Sequence, residues 1–168
     1  MWIAIIILAV VWGGLLIPIV QERRAWIVCA HGGTGLFFAS LLLSLGLHQT
    51  GEITDILWLK IIGFVLIIPA VSLMAATMAT ITKGGLIEAG IMKIVRHPMY
   101  LGTIIASVAL ILIFQALLSL VLSATAIALL GMASKLEEDY NVEQFGDIYR
   151  EYMSRVPRWN VFKGLRKG

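Results

Sequence analysis

From Tyr100 to Ser134 the chain runs 35 residues without a charged side chain. One helix of that length would measure about 52 Å at 1.5 Å per residue. A bilayer's hydrocarbon core is only about 30 Å thick. Two helices folded back on each other fit better, and Gln115 lies near the expected tip of that hairpin. Each arm is short, so the pair is expected to tilt or only just span.

The rest of the chain agrees with a membrane setting. Of its 168 residues, 60% are hydrophobic and 14% charged, and the mean hydropathy is +0.94. Soluble domains carry about 25% charged residues, and a small one leaves too much surface facing solvent to hide this much apolar area. A soluble globular domain and a disordered chain are both excluded. Three further apolar runs are long enough to span: Trp2 to Val20, Ala25 to Leu47 and Ile56 to Thr80. The expectation is an all-α integral membrane protein with five transmembrane helices, the fourth and fifth forming the hairpin.

Charges between the runs give an orientation. Arg23 and Arg24 follow the first run, and Lys83, Lys93 and Arg96 follow the third. The loop with Glu52 and Asp55 has no base, while the tail from Lys135 carries seven bases and six acids. Lys and Arg content sets topology. The first and third loops and the tail are therefore expected to be cytoplasmic, with the amino terminus outside. The net charge of +3 and pI near 9.2 are read as this bias and not as a nucleic-acid signal. Pro18-Ile19-Val20 is not a small-residue cleavage site and no basic stretch precedes the first run, so that run is expected to be retained. The single cysteine, Cys29, allows neither an intramolecular disulfide nor a CxxC metal site.

In the tail, Leu136, Tyr140, Phe145, Tyr149, Tyr152 and Val156 recur at about helical spacing, with charges between them. This predicts a cytoplasmic amphipathic C-terminal helix, broken near Gly146 and ended by Pro157. It would lie on the membrane or over the mouth of the bundle.

Side chains able to do chemistry concentrate in two places, Glu88 to Tyr100 and Lys135 to Arg158. A hairpin between them returns the chain to the side it left, so the two can adjoin. Pro98 disfavours helix at His97 but suits the first turn of the helix that follows. The free N–H groups at that helix start suit an anion, and Arg96 can clamp a carboxylate through two hydrogen bonds. Equally, Arg96 can be a membrane-edge anchor and Pro98 a simple cap. Glu137-Glu138-Asp139 can bind a ligand ammonium, or can be a solvated stretch of helix favoured by its dipole.

Together these residues resemble a known family. Val95-Arg96-His97-Pro98-Met99-Tyr100, an apolar hairpin, Glu137-Glu138, Phe145-Gly146-Asp147-Ile148-Tyr149-Arg150-Glu151-Tyr152 and Val156-Pro157-Arg158 resemble the isoprenylcysteine carboxyl methyltransferases. The related phospholipid methyltransferases share the pattern. The resemblance runs from about Gly85 to Arg158, and departs from it at Met92, where relatives commonly carry an aromatic. It implies S-adenosylmethionine as methyl donor and a lipophilic acceptor reached from the bilayer. It divides the chain into an N-terminal three-helix membrane region, 1–80, and a cofactor-binding catalytic region, 81–168.

Residue by residue, Gly90, Val95, Arg96, His97, Tyr100 and Leu101 fall in the first cofactor motif that the resemblance implies. Glu137 and Glu138 match its paired glutamates. Tyr149, Tyr152 and Arg155 to Arg158 fall in the stretch that closes over the cofactor, with Tyr149, Tyr152, Arg155 and Pro157 the expected cofactor-binding residues among them. Arg96, Glu137 and Glu138 are the expected catalytic residues. On chemistry, a guanidinium suits the donor's carboxylate and a glutamate its ammonium. Tyrosine faces suit its sulfonium, because the ring quadrupole attracts a cation.

The acceptor implied most directly is an isoprenylcysteine carboxylate, with a phospholipid amine or a small lipophilic thiol as the alternatives. An amine would need a base, for which Glu137 or Glu138 is suited. An NADPH-dependent membrane reductase and a non-enzymatic membrane subunit are the rival readings; no nucleic acid or metal is expected. His31 lies inside the second run beside Gly32, Gly33 and Gly35. It is either a packing residue in a close helix contact or part of an acceptor tunnel. Trp2, Trp12, Trp26 and Trp58 read as interface or packing aromatics.

Overall fold

The structure, a computed structural model, describes residues 25–46, 53–81 and 88–166. The first expected span, Trp2 to Val20, and the Arg23-Arg24 loop lie outside the described residues. So do Glu52 and Lys83.

The described elements are helical. They are α1 (Ala25–Gly46), α2 (Leu57–Thr80), a 3₁₀ turn (Gly90–Lys93), α3 (Pro98–Phe114), α4 (Leu117–Phe145), α5 (Asp147–Arg155) and α6 (Val161–Leu165). Among the described residues, α1, α2 and α4 are long and apolar enough to cross a membrane. At 17 residues, α3 is shorter, about 26 Å by helical rise.

The uncharged stretch does fold as a hairpin, and Gln115 is its turning point. Its backbone is left-handed, with φ 48°, which closes α3 and redirects the chain into α4. Gln115 is buried, and both the oxygen and the nitrogen of its side-chain amide are hydrogen-bonded. Its Oε1 accepts from Thr54 Oγ1 at 2.7 Å and from the Ile56 N–H at 2.9 Å, while its Nε2 donates to the Ile56 carbonyl at 2.9 Å. Its own carbonyl accepts from the Ile53 N–H at 2.8 Å. One amide thus ties the tip of the hairpin to the start of α2.

Small residues let the helices approach. α1 packs along α4 and α2 along α3. A Cβ on Gly33 would lie 2.8 Å from Leu130 Cγ, and one on Gly63 2.7 Å from Ile113 Cγ1 and 2.9 Å from the Ala109 carbonyl oxygen. Between α1 and α4 the buried Ser40 hydroxyl bonds Ser123 at 2.9 Å. Such contacts suit lipid, where helices gain little from excluding water and associate by close packing and interhelical hydrogen bonds. The outward face of α2 carries Trp58, Phe64, Val65 and Ile68, all exposed.

One expectation changes. Leu136–Phe145 does not begin a separate tail helix: it continues α4 without interruption. No helix breaker stands between Ser134 and Phe145, and Lys, Leu and Glu are good helix formers. The break comes at Gly146, where φ is 57°. The chain then turns back as α5, which buries Tyr149 and Tyr152 and exposes Asp147, Ile148, Arg150 and Glu151.

Candidate active site

The end of the bundle opposite Gln115 gathers the start of α3, the charged end of α4 and the segment after α5. Its centre is Glu138, 2% exposed. Arg96 Nε donates to Glu138 Oε1 at 2.9 Å, and Arg96 Nη2 lies 2.8 Å from the same oxygen. His97 Nε2 is 3.1 Å from Oε1. Arg158 donates from Nε to Oε1 at 2.9 Å and from Nη2 to Oε2. A buried carboxylate is tolerated only when it is paired and hydrogen-bonded. Two guanidiniums and an imidazole meet that requirement here.

Backbone pairing holds the cluster together. The Arg96 N–H donates to the Pro157 carbonyl at 3.1 Å and the His97 N–H to the Arg158 carbonyl at 3.4 Å. Arg96 Nη1 donates to the carbonyls of Met153 and Val156 at 2.7 and 2.8 Å. The Arg96 guanidinium is therefore largely engaged within the protein. Val95 beside it is fully buried.

Glu137 has a different setting. Its Oε2 lies 3.7 Å from His97 Nδ1, and its side chain remains 25% exposed. The Tyr100 phenol lies beside it, with the Tyr100 ring stacked on His97 at 5.5 Å and 5° between planes. Neighbouring positions on one helix thus differ sharply: Glu138 points into the protein and Glu137 keeps access to the outside.

Tyr149 and Tyr152 form a buried aromatic pair, 5.6 Å between ring centroids, packed with Val142, Phe145 and Val156. The Tyr152 hydroxyl donates to the Met92 carbonyl at 2.7 Å, tying α5 to the 3₁₀ turn. Burial raises both phenols above their ordinary range, so they remain neutral near neutral pH. The hydrogen bond to Glu138 raises Arg158 in turn and keeps it cationic.

The structure does not bring every expected residue into this cluster. Arg155 is on the surface, paired with Glu88 at 2.9 Å and facing Glu151 at 3.8 Å. Gly90 opens the 3₁₀ turn with φ 51° and is exposed. Leu101 is half-buried on α3 and caps onto the His97 carbonyl through its N–H at 3.0 Å. Pro157 contributes its carbonyl. Arg158, not Arg155, reaches Glu138. Both lie in the basic tail, but Pro157 ends the helical register, which spacing along α5 does not reveal.

Sequence reasoning also missed a contribution from α1. Trp26 packs on Tyr140 of α4, 5.9 Å between centroids, one turn beyond Glu137, and its indole Nε1 is buried without a hydrogen-bond partner. His31, one to two turns deeper, bonds the Ile27 carbonyl of its own helix at 3.0 Å through Nδ1.

No curated protein and no solved structure matches the chain. The model of one family, described as phospholipid methyltransferase, matches residues 56–148. That segment contains α2, the hairpin, Arg96, His97 and both glutamates. It is more than half of the chain, and the chain therefore belongs to the phospholipid methyltransferase family of membrane methyltransferases.

Proposed function

We propose that the protein transfers a methyl group from S-adenosylmethionine to the amine of a membrane lipid, at the cytoplasmic end of the bundle. The observation that carries this reading is the division of labour between Glu137 and Glu138. Glu138 is saturated by Arg96, His97 and Arg158, which suits a residue that positions others. Glu137 remains reachable, beside Tyr100 and His97.

The residues present fit the methyl donor. A partly exposed Arg158 suits its carboxylate, and the neutral ring of Tyr100 its sulfonium. When bound, the donor supplies an electrophilic methyl group. The protein's own part is alignment and exclusion of water, which can supply much of the rate in a displacement.

Glu137 also decides between acceptors. A carboxylate acceptor would bring a second negative charge against it, whereas a lipid ammonium is attracted. Acting as a general base, Glu137 accepts the proton from that nitrogen and leaves its lone pair free to attack the methyl group. The carboxylate acceptor of the isoprenylcysteine enzymes is the less supported reading on this ground. The region 81–168 supplies these groups, and α1 and α2 form the apolar wall beside them.

The test is incubation of the reconstituted protein with methyl-labelled S-adenosylmethionine and total lipid extract. The expected product carries label on a headgroup nitrogen and resists mild alkali. Label released by mild alkali as methanol would identify a methyl ester and overturn the amine assignment. Absence of any labelled lipid would overturn methyl transfer.

A further inference from the structure

Beyond Glu151 the sequence carries five bases, Arg155, Arg158, Lys163, Arg166 and Lys167, and no acid. The protein neutralises two of them itself, Arg155 with Glu88 and Arg158 with Glu138. Lys163 and Arg166 are exposed and have no ion pair among the described residues. Around them the short α6 displays apolar side chains: Phe162 is 80% exposed and Leu165 59%. Three positions apart on a helix, these two share a face. Water disfavours such a face.

The fold does not tuck this face away but holds it out. Gly164 is buried, and packs so closely on Ile94 that a Cβ there would collide with the Ile94 carbonyl. Asn160 caps the helix, its Oδ1 accepting from the Lys163 N–H at 2.9 Å. α6 is thus pressed on the body of the protein through its glycine, with Phe162 and Leu165 left outward.

Trp159 fixes the depth of this element. A Cβ on Gly131 of α4 would lie 3.6 Å from Trp159 Cη2, so the indole lies alongside that turn. Gly131 is one turn inside the uncharged stretch, and Lys135 is the first charge after it. The indole therefore spans the boundary between the apolar and charged parts of α4, the level at which tryptophan is enriched in membrane proteins. α6 follows directly, so its apolar face meets the boundary between headgroups and acyl chains.

We propose that Trp159–Arg166 is a contact surface for an anionic bilayer, which holds the Pro157–Arg158 strap closed over Glu138. Phe162 and Leu165 enter the interfacial layer, and Lys163 and Arg166 meet its negative charge. The strap is the segment immediately before, and its carbonyls accept from the Arg96 and His97 N–H groups. Free energy gained by α6 at the surface therefore adds to strap closure. The bilayer acts here as a partner and not as a substrate, and the contact stands whether or not the chain transfers methyl groups.

The test uses the full chain in lipid nanodiscs of phosphatidylcholine, alone or with added phosphatidylglycerol. In a Cys29→Ser background, nitroxide-labelled Phe162→Cys is expected to be reached by oxygen and shielded from a water-soluble nickel chelate, and labelled Glu151→Cys to show the reverse. Equal access of the chelate to both would overturn the contact. Hydrogen exchange at the Arg96 and His97 amides reads strap closure. Phosphatidylglycerol is expected to slow it in the wild type. Lys163→Ala with Arg166→Ala is expected to abolish that gain, up to about 30-fold at roughly five- to sixfold per charge, and Lys163→Arg with Arg166→Lys to keep it. Both side chains are exposed, so the fold is retained. Exchange unchanged by phosphatidylglycerol in the wild type, or slowed equally in the double alanine variant, would overturn the coupling of surface charge to the strap.

Discussion

Glu138→Gln isolates what the buried cluster contributes. Glutamine keeps the shape and one acceptor oxygen but removes the charge. Arg96, with a side chain 8% exposed, then keeps only the Met153 and Val156 carbonyls as strong partners. Removing one member of a buried ion pair costs about 3–5 kcal/mol, because the remaining charge is uncompensated. Arg158 is 33% exposed and can rehydrate, which places the expected loss near the lower end, about 3 kcal/mol. For a chain of this size each kcal/mol moves Tm by about 2–4 °C. Thermal unfolding of the reconstituted protein should therefore fall by about 6–12 °C. Adding Arg96→Met removes the orphaned charge, so the double variant should lose less than the sum of the singles by about 1–3 kcal/mol. A shift under about 2 °C for Glu138→Gln, with strictly additive singles, would refute the view of Glu138 as the hub of the site.

Other variants probe separate features. Glu137→Gln should leave Tm within about 1 °C and reduce turnover at least about 100-fold, the usual contribution of a positioned base; wild-type kcat would remove its role. Gln115→Gly keeps the left-handed turn but deletes three side-chain hydrogen bonds, at a cost of about 2–4 kcal/mol, measurable by denaturant or thermal unfolding. Gly164→Ala should dislodge α6 from Ile94, read as faster tryptic cleavage at Lys163; unchanged cleavage would contradict the close contact. Tyr149 and Tyr152 titrate higher when folded, so above about pH 10 the unfolded chain releases protons that the folded one retains. Stability should be full below that pH and fall as pH rises, and Tyr149→Phe should flatten the slope in an alkaline melt.

The length of the uncharged stretch was enough to demand a turn, and it placed Gln115 at the tip. The juxtaposition of Arg96 and His97 with the acidic pair follows from that turn alone. What could not be read from the sequence depends on three-dimensional detail. Which glutamate faces inward is a matter of helix phase relative to α3, and neighbouring residues differ by about 100°. The choice of Arg158 over Arg155 depends on where Pro157 ends the helix. Trp26 reaches Tyr140 because Gly33 lets α1 lie close along α4, a contact between segments more than 100 residues apart. The late break at Gly146 was visible as a glycine, but the continuation of α4 through Lys135 was not, because charge suggested a boundary where helix propensity saw none.

The strap of Pro157 and Arg158 across Arg96 and His97 also sets an order of assembly. The apolar helices can enter the membrane and pair as they are made. The Glu138 carboxylate, however, meets its second guanidinium only when residue 158 has left the ribosome. Until then Arg96 lacks the carbonyls of Met153 and Val156 as well. A nascent chain stopped at α4 would therefore hold a half-neutralised acid in a poorly hydrated place. The last segment acts as the keystone, and a protein lacking it should insert normally yet remain inert.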